Sequence, residues 1–392
     1  MRLPLLPIII CISISLLIDV FVFRRMRNSS VPRSWCIVHS IVAAFAYIAI
    51  LWVAVAPKKS ISDTDLISIM WVLFAYLSLY ASKVVYCLIE LIRIAFARLS
   101  HRPLRGFGIA ALAFALLIFA TMWWGALFNR FNISVTDIDI HSEAVPDAFH
   151  GYRIAQISDL HCGTFGSDTS FVADVVDRVN AQNPDLIVFT GDIVNRHASE
   201  LQPFVPVLSR LSAPDGVFSI MGNHDYGDYS SWSSDSAKTA DIALLRRLQA
   251  DMGWHMLNNG HAWLTRGNDS IALIGVENIG DPPFRTYGSL ASAYHDVADS
   301  HAKILLTHNP SHWVDSIAGN PRANIFLSLA GHTHGMQMSI AGVSPASLRY
   351  KVWGGLHCDD SGHFLYVNLG LGTVAMPARI GANPEITIFK FN

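Results

Sequence analysis

The stretch Ile154-Ala-Gln-Ile-Ser-Asp-Leu-His161 organises the rest of the chain. A short apolar run ends here in an acid and an imidazole that are two residues apart. On a strand, residues i and i+2 point to the same face, so Asp159 and His161 are predicted to reach one point beyond the strand end. Oxygen and imidazole ligands together suit Zn, Mn or Fe. Such a pair also occurs by chance or caps a loop, so its interpretation depends on the rest of the sequence.

Other apolar runs that are predicted to be strands also end in polar residues with ligand chemistry. These residues are Asp192, Asn223, His224, His308, His332 and His334. In open α/β sheets, ligands bind beyond the carboxyl ends of the strands, so we expect these side chains to converge. A glycine stands directly before Asp192, Asn223 and His332, where it would let the backbone approach a ligand closely.

The type and number of these donors fit two divalent metal ions that share one carboxylate. A shared carboxylate holds such ions about 3.5–4 Å apart and leaves positions open for water and substrate. Asp192 is the best candidate for the bridge. Two carboxylates against two divalent ions leave a surplus of positive charge, which the neutral amide of Asn223 preserves. That surplus favours a phosphate group and lowers the pKa of a bridging water molecule.

The composition of the 392-residue chain differs from that of a soluble protein, since 52% of the residues are hydrophobic and only 15% are charged. A soluble domain carries about 25% charged residues. Long apolar runs cover residues 4–23, 35–56, 66–92 and 107–127. Each is long enough to cross a bilayer, which takes about 20 residues. We therefore predict a four-helix transmembrane region over residues 1–128. The formal net charge of −2 gives no basic patch for a nucleic-acid partner.

The arginines predict the orientation of these helices. Arg24, Arg25, Arg27 and Arg33 follow the first run, and Arg93, Arg98, Arg102 and Arg105 follow the third. Short positive loops stay in the cytoplasm, so the chain is predicted to be a multi-pass protein of the cytoplasmic (inner) membrane. Its second domain would then lie on the extracytoplasmic side. Lys58 and Lys59 in the second loop blur this asymmetry.

From about residue 133 the composition becomes that of a soluble α/β domain. Predicted strands alternate with helical patterns at 171–180 and 237–252, which favours a doubly wound sheet with helices on both faces. No Cys-x-x-Cys is present, so a zinc ribbon or a thioredoxin-like motif is excluded. Cys162 and Cys358 could form a disulfide in an exported domain; two free buried thiols are the alternative.

The motifs Asp159-Leu-His161, Gly191-Asp192, Gly222-Asn-His-Asp225, His308 and Gly331-His-Thr-His334 resemble, in order and context, those of the calcineurin-like metallophosphoesterases. The resemblance covers residues 133–392 and is greatest to the bacterial membrane-associated or exported members. It implies an α+β domain with a two-sheet β-sandwich flanked by helices, in place of the doubly wound sheet. It also implies a phosphoric ester hydrolase with two divalent ions, which would be Mn, Fe or Zn.

The resemblance implies how the ligands are shared between the two ions. One ion would bind Asp159, His161, Asp192 and His334, and the other would bind Asp192, Asn223, His308 and His332. It also implies that His224 is the acid that contacts the phosphate. Asp225 is the second catalytic candidate; it would either orient His224 or cap a turn.

These features together predict a membrane-anchored phosphohydrolase that acts on monoesters, diesters or pyrophosphates. The expected partners are a phosphorylated substrate and membrane lipids, without nucleic acid or an obligatory protein partner. A short linker after the fourth helix would keep the domain near the headgroups, which favours a lipid-linked substrate over a soluble one. Two other functions stay open: a non-catalytic membrane protein that binds metal and phosphate, and a transporter. Apart from Asp19, Lys83 and Glu90, the helices offer few of the charges that transport needs.

Overall fold

The computed structural model describes residues 5–56, 62–101, 106–320 and 324–392, and of residues 5–7 it describes the backbone alone. The chain divides into two compact units. The first contains the chain up to Leu127 and the short segment Ala375–Ala378. The second contains Phe128–Val374 and Arg379–Asn392.

Long helices make up the first unit. They are α1 (Leu5–Arg27), α2 (Arg33–Val55), α3 (Asp63–Ser100) and α4 (Phe107–Leu127). By length and composition α2, α3 and α4 are able to cross a membrane. Helix α1 carries Asp19 in its interior and ends in arginines. A membrane span by α1, which would be the fourth, stays a prediction.

Helix α3 is longer than the apolar run that predicts it. It begins at a capped end, where the Ser62 hydroxyl accepts a hydrogen bond from the N–H of Asp65 at 3.1 Å. No glycine or proline interrupts it, so the helix continues through Arg93 and Arg98 to Ser100. These two arginines therefore lie on the helix and not in the connection. Lys58, Lys59, Arg102 and Arg105 lie outside the described residues.

The second unit contains two six-stranded sheets. In chain order the strands are β1 (Ser134–Ile140), β2 (Arg153–Ile157), β3 (Leu186–Phe189), β4 (Val217–Ser219), β5 (His255–Met256), β6 (Gly260–Arg266), β7 (Asp269–Gly275), β8 (Lys303–Leu306), β9 (Ile325–Ala330), β10 (Gly355–Cys358), β11 (Phe364–Val367) and β12 (Glu385–Phe391). The helices are α5 (Ser170–Ala181), α6 (Val205–Leu208), α7 (Asp235–Asp251), α8 (Leu290–Ala293) and α9 (Ser311–Ser316).

Both sheets are mixed. The first has the order β1-β12-β2-β3-β4-β5 and the second the order β10-β11-β9-β8-β7-β6. Strands β2 to β5 run parallel, and β12 is antiparallel to β2 but parallel to β1. In the second sheet β7, β8, β9 and β11 run parallel, with β6 and β10 antiparallel at the edges. The two-sheet fold that the resemblance implies is confirmed, and the doubly wound sheet is wrong.

The central strands are apolar on both faces because both faces are covered. Ile154 of β2 belongs to a buried cluster that it shares with Leu273 and Ile304 of the second sheet. Its neighbour Ala155 points the other way, into a cluster that contains Val175 of α5. Continuous apolar strands in this domain are therefore the consequence of a sandwich with outer helices.

Strands β5, β6 and β10 are absent from the sequence prediction. Strand β6 pairs with β7 as an antiparallel hairpin, with Arg266 opposite Asp269. The two-residue connection is Gly267-Asn268, and Gly267 has a φ of 59°. A Gly-Asn pair between two short runs is a known hairpin signal, so this strand was predictable.

The cysteines are all free, with Cys162 buried and Cys358 exposed. The possible disulfide between these two residues is therefore without support.

Candidate metal centre

The predicted ligands follow the carboxyl ends of strands in both sheets. Backbone hydrogen bonds tie the loops together: the N–H of Asp159 donates to the carbonyl of Gly191 at 2.9 Å, and the N–H of Gly331 donates to that of His308 at 3.0 Å. Gly331 packs against Asp159 so closely that a Cβ atom would lie 2.2 Å from its Oδ2. The glycine is therefore required for the approach that the sequence predicts.

The ligand candidates have an unusual backbone conformation. Asp159, His161, Asp192, His332 and His334 have φ values of 50°, 47°, 60°, 74° and 51°. Non-glycine residues rarely adopt positive φ, and such strain concentrates at functional sites. The strain at so many neighbouring positions indicates that the fold holds these side chains for a purpose other than packing.

Asp159, His161 and His334 form the first cluster. Their donor atoms all lie within 4.8 Å of one another. The Nε2 atoms of His161 and His334 are 3.1 Å apart, and Nε2 of His334 is 3.3 Å from Oδ1 of Asp159. Burial and the neighbouring His224 lower the pKa of His161 to about 3. A neutral imidazole keeps a lone pair for a metal, so this arrangement suits a cation.

Asp192, His308 and His332 form the second cluster, and their donor atoms also lie within 4.8 Å of one another. Oδ1 of Asn223 is 2.8 Å from Nδ1 of His332 and 3.1 Å from Nε2 of His308. Burial would lower the pKa of His308, but the Asp192 carboxylate raises it to about 9. Burial and His308 lower the pKa of His332 to about 3. A positive charge between these side chains is therefore favourable.

Asp192 stands between the two clusters. Its Oδ2 is 3.2 Å from Nε2 of His308 and 3.7 Å from Nε2 of His161. Burial would raise the pKa of this carboxyl, but the positive charge of His308 and His224 holds it well below its usual range. The anionic oxygen that faces both clusters is in the position of a bridging ligand. The donors present thus fit two divalent ions, with carboxylate, imidazole and amide groups around each.

His224 lies beside the clusters and belongs to neither. Its ring meets that of His161 edge-on at 4.8 Å and stacks on Tyr229 at 4.4 Å. Its Nδ1 is 2.8 Å from the carbonyl oxygen of Asn195. A carbonyl accepts, so Nδ1 carries the proton and Nε2 is available on the other side of the ring.

Asp225 contacts backbone N–H groups, which fits one of its two predicted roles, the capping of a turn, and not the orientation of His224. Its carboxylate accepts hydrogen bonds from the N–H groups of Asp192, Ile193 and Gly222 at 2.8, 2.9 and 2.8 Å. Burial and Asp192 raise the pKa of Asp225 to about 7. The geometry agrees with the turn-capping alternative, because Nδ1 of His224 bonds to the carbonyl oxygen of Asn195 and not to the Asp225 carboxylate.

Two tyrosines that the sequence did not reveal hold ligands of the second cluster. The Tyr229 hydroxyl accepts a hydrogen bond from Nδ2 of Asn223 at 2.9 Å, which turns the amide oxygen toward the histidines. The Tyr350 hydroxyl is 3.1 Å from Nε2 of His332. The loss of a group that orients a ligand in this way typically costs about 10–100-fold in metal affinity or activity. No local pattern distinguishes these tyrosines from others in the chain.

Arg379 is the other residue that the sequence did not reveal. It is fully buried, and burial lowers its pKa to about 10. Its guanidinium donates to the carbonyls of Leu369, Gly372 and Ala382 at 2.6 to 3.0 Å. Its Nη2 also lies 3.3 Å from Nδ1 of His334, on the side of the ring away from Asp159. Arg379 therefore secures the loop behind the first cluster.

Three residues in loops of the second unit, Trp232, Arg349 and Trp353, make contacts within that unit. Nε1 of Trp232 donates to the carbonyl of Gly227 at 2.8 Å, and Arg349 pairs with Asp281 at 3.0 Å. The carbonyl of Trp353 accepts from the hydroxyl of Thr333, within the His-Thr-His motif, at 2.5 Å.

Comparison with known proteins gives a consistent result. The family model described as calcineurin-like phosphoesterase matches residues 152–336. The chain is 33% identical over 265 residues to the uncharacterised metallophosphoesterase YkuE of Bacillus subtilis. The aligned region covers 66% of this chain and 85% of that protein.

Two further relatives are similar to more than half of the chain. The transmembrane protein with metallophosphoesterase domain of Danio rerio is 30% identical, over 70% of this chain and 61% of that protein. The UDP-2,3-diacylglucosamine pyrophosphatase LpxG of Chlamydia trachomatis is 27% identical, over 62% of this chain and 84% of that protein.

Proposed function

The chain belongs to the calcineurin-like metallophosphoesterase family of hydrolases, and we propose that it is a membrane-anchored enzyme that uses two divalent ions to cleave a phosphoester or pyrophosphate bond. The observation that supports this most strongly is the position of Asp192. One carboxylate oxygen faces a histidine of each cluster, and the ligands around it have strained backbones.

In this proposal the ligands divide as the family resemblance implies. Asp159, His161, Asp192 and His334 hold one ion, and Asp192, Asn223, His308 and His332 hold the other. When bound, the two ions supply the Lewis acidity and the activated water that phosphoryl hydrolysis needs. The identity of the ions, as Mn, Fe or Zn, belongs to the same proposal.

His224 acts on the substrate and Asp225 acts through the backbone. The Nδ1–H of His224 donates to Asn195, and in the imidazolium form the second proton, on Nε2, can bond to a phosphate oxygen or pass to the leaving group. Asp225 holds the N–H groups of Asp192 and Gly222, and thereby the turns that carry Asp192 and His224. Asp225 is thus a positioning residue in this mechanism.

A metal test decides the chemistry. The full chain, purified in detergent and stripped with a chelator, should hydrolyse a panel of phosphomonoesters, diesters and pyrophosphates only after Mn²⁺, Zn²⁺ or Fe²⁺ is restored. Turnover that survives complete chelation would refute the dinuclear mechanism. Binding of both metal and phosphate without turnover of any substrate would favour the non-catalytic alternative.

We extend the proposal to a substrate in the membrane. The name of the chlamydial relative describes a pyrophosphatase of a diacylated nucleotide sugar, and this chain carries apolar helices ahead of its catalytic unit. The full chain in vesicles should therefore hydrolyse lipid-linked pyrophosphates faster than water-soluble ones of the same headgroup. Equal rates would leave the helices with an anchoring function alone.

The arginine distribution places the catalytic unit outside the cytoplasm in this proposal. A reporter that is active only after export, fused behind Asn392, should be active in cells. A cytoplasmic reporter at the same position should be silent, and strong activity from it would reverse the orientation.

A further inference from the structure

A cavity of about 1010 Å³ opens between the helices of the first unit. One face of α3 lines it, with Leu79, Lys83, Tyr86 and Glu90 at spacings of three and four residues. These positions extend along roughly 16 Å of helix, at 1.5 Å per residue. The lining residues therefore extend far enough along the helix to accommodate an extended chain.

The two ends of the cavity differ in polarity. Leu112, Leu116 and Phe119 of α4 line the part that lies toward Leu79 of α3. At the other end lie Arg25, Glu90 and the start of α4, and a Cβ atom on Gly108 would be 3.4 Å from Oε1 of Glu90. Leu112 and Leu116 are more than half exposed, so the cavity is an open groove here. An open apolar groove with a charged end matches the build of a lipid molecule.

The charged end has a surplus of positive charge. Glu90, whose side chain is 1% exposed, forms an ion pair with Nη2 of Arg25 at 2.8 Å and accepts a hydrogen bond from Nη2 of Arg93 at 3.0 Å. Two guanidinium groups thus share one carboxylate. Lys83 adds nothing to the surplus, because Oδ1 of Asp19 lies 2.7 Å from its Nζ.

Arg25 is both accessible and incompletely bonded. Its side chain is 35% exposed, yet its Nε is buried and has no hydrogen-bond partner among the described residues. Helix α4 begins at this end, and its first backbone N–H groups add partial positive charge. An anionic group at this position would contact the exposed part of the Arg25 guanidinium and balance the charge of the second arginine.

We propose that this cavity binds an anionic phospholipid, with the phosphate at Arg25 and the start of α4 and one acyl chain along Leu112, Leu116 and Phe119. The surrounding bilayer supplies such a ligand, and basic pockets between membrane helices are suited to anionic headgroups. A free phosphate would leave the apolar part of the cavity empty. A zwitterionic lipid would bring its own cation to a site that already has a surplus. The inference is independent of the proposed hydrolysis, since it uses no residue of the metal centre.

The test measures lipid binding to the full chain in detergent with a chelator present, so that phosphate binding at the metal centre does not contribute. Dioleoyl phosphatidylglycerol and dioleoyl phosphatidylcholine are compared by native mass spectrometry and by the shift in Tm. The wild type should prefer phosphatidylglycerol. Arg25→Gln should weaken its binding about tenfold, the equivalent of one lost charge-assisted contact, and should remove the preference.

Arg98→Gln is the matched control, because Arg98 is exposed and lies near the same end of α3. It should keep the preference. Equal affinity of the wild type for both lipids, or an equal loss in Arg25→Gln and Arg98→Gln, would overturn the proposal. If Arg25→Gln fails to fold, Leu116→Trp should weaken the binding of phosphatidylglycerol, because the larger side chain fills part of the cavity without a change in charge. Full affinity in Leu116→Trp would also overturn it.

Discussion

The two halves of the metal centre are built from similar donors but are supported differently. The first cluster is closed: Asp159 and His161 are fully buried, and His334 is 3% exposed and backed by the buried cation of Arg379. The second cluster is more open, since Asn223 and His332 are only partly buried and tyrosine hydroxyls orient them. The first half is thus part of the core, and the second half is the side from which a ligand can enter. We expect the first cluster to hold its ion more tightly.

Asp192→Asn should abolish the difference in metal affinity between the two clusters. The variant loses the anionic oxygen that faces both clusters, so both ions should bind weakly and hydrolysis should fall to background. Metal content by mass spectrometry and activity on the best substrate of the panel are the measurements. Asp177→Asn is the control, because that carboxylate is 60% exposed. A variant that retains both ions and near-normal turnover would show that Asp192 is not the bridge.

His224→Ala should affect neither cluster's ion but should lower the rate by roughly 10²–10⁴-fold, the usual scale of general acid catalysis. The ring touches His161 and bonds to Asn195, without a place in either ligand set. The rate of hydrolysis should fall most for substrates with poor leaving groups and least for nitrophenyl esters. A uniform loss over all leaving groups would limit His224 to charge stabilisation, and a loss of metal would make it a ligand.

Arg379→Lys tests the closed half. Lysine keeps the charge but cannot reach all the carbonyls that the guanidinium holds, so the loop at Leu369 to Gly372 should loosen. We expect about 10–100-fold weaker metal binding at the first cluster, the range for residues behind a ligand. Isothermal titration with Mn²⁺ distinguishes the two sites. A lower Tm without a change in either metal affinity would reduce Arg379 to a purely structural residue.

Tyr350→Phe tests the open half and should have the smallest effect. It removes only the hydroxyl at 3.1 Å from Nε2 of His332, at a partly buried position. Metal affinity at the second cluster should fall about tenfold, while the first cluster and the Tm stay as in the wild type. The same loss at the first cluster would show that the two halves are not independent.

The clustering of the candidate ligands was predictable from the sequence because each follows the end of a strand, where a local pattern has a geometric meaning. Asp159, Asp192 and His308 are examples. The supporting residues were not predictable, since Arg379 reaches His334 over 45 positions and no pattern around it indicates a buried cation. The role of Asp225 depended in the same way on which backbone groups the fold brings to its carboxylate. Local signals thus predict the donors, and tertiary packing determines what orients them.

The position of β12 also has a consequence for how the protein is made. This strand lies between β1 and β2, with Ser134 paired to Glu385 and Gln156 to Thr387. At a translation rate of about 5–20 residues per second, β1 and β2 leave the ribosome roughly 10–50 s before the strand that joins them. The apolar helices can meet the translocation machinery during that interval, while the catalytic unit still has unpaired strand edges. The facing edges of β1 and β2 therefore stay unpaired until β12 has been synthesised.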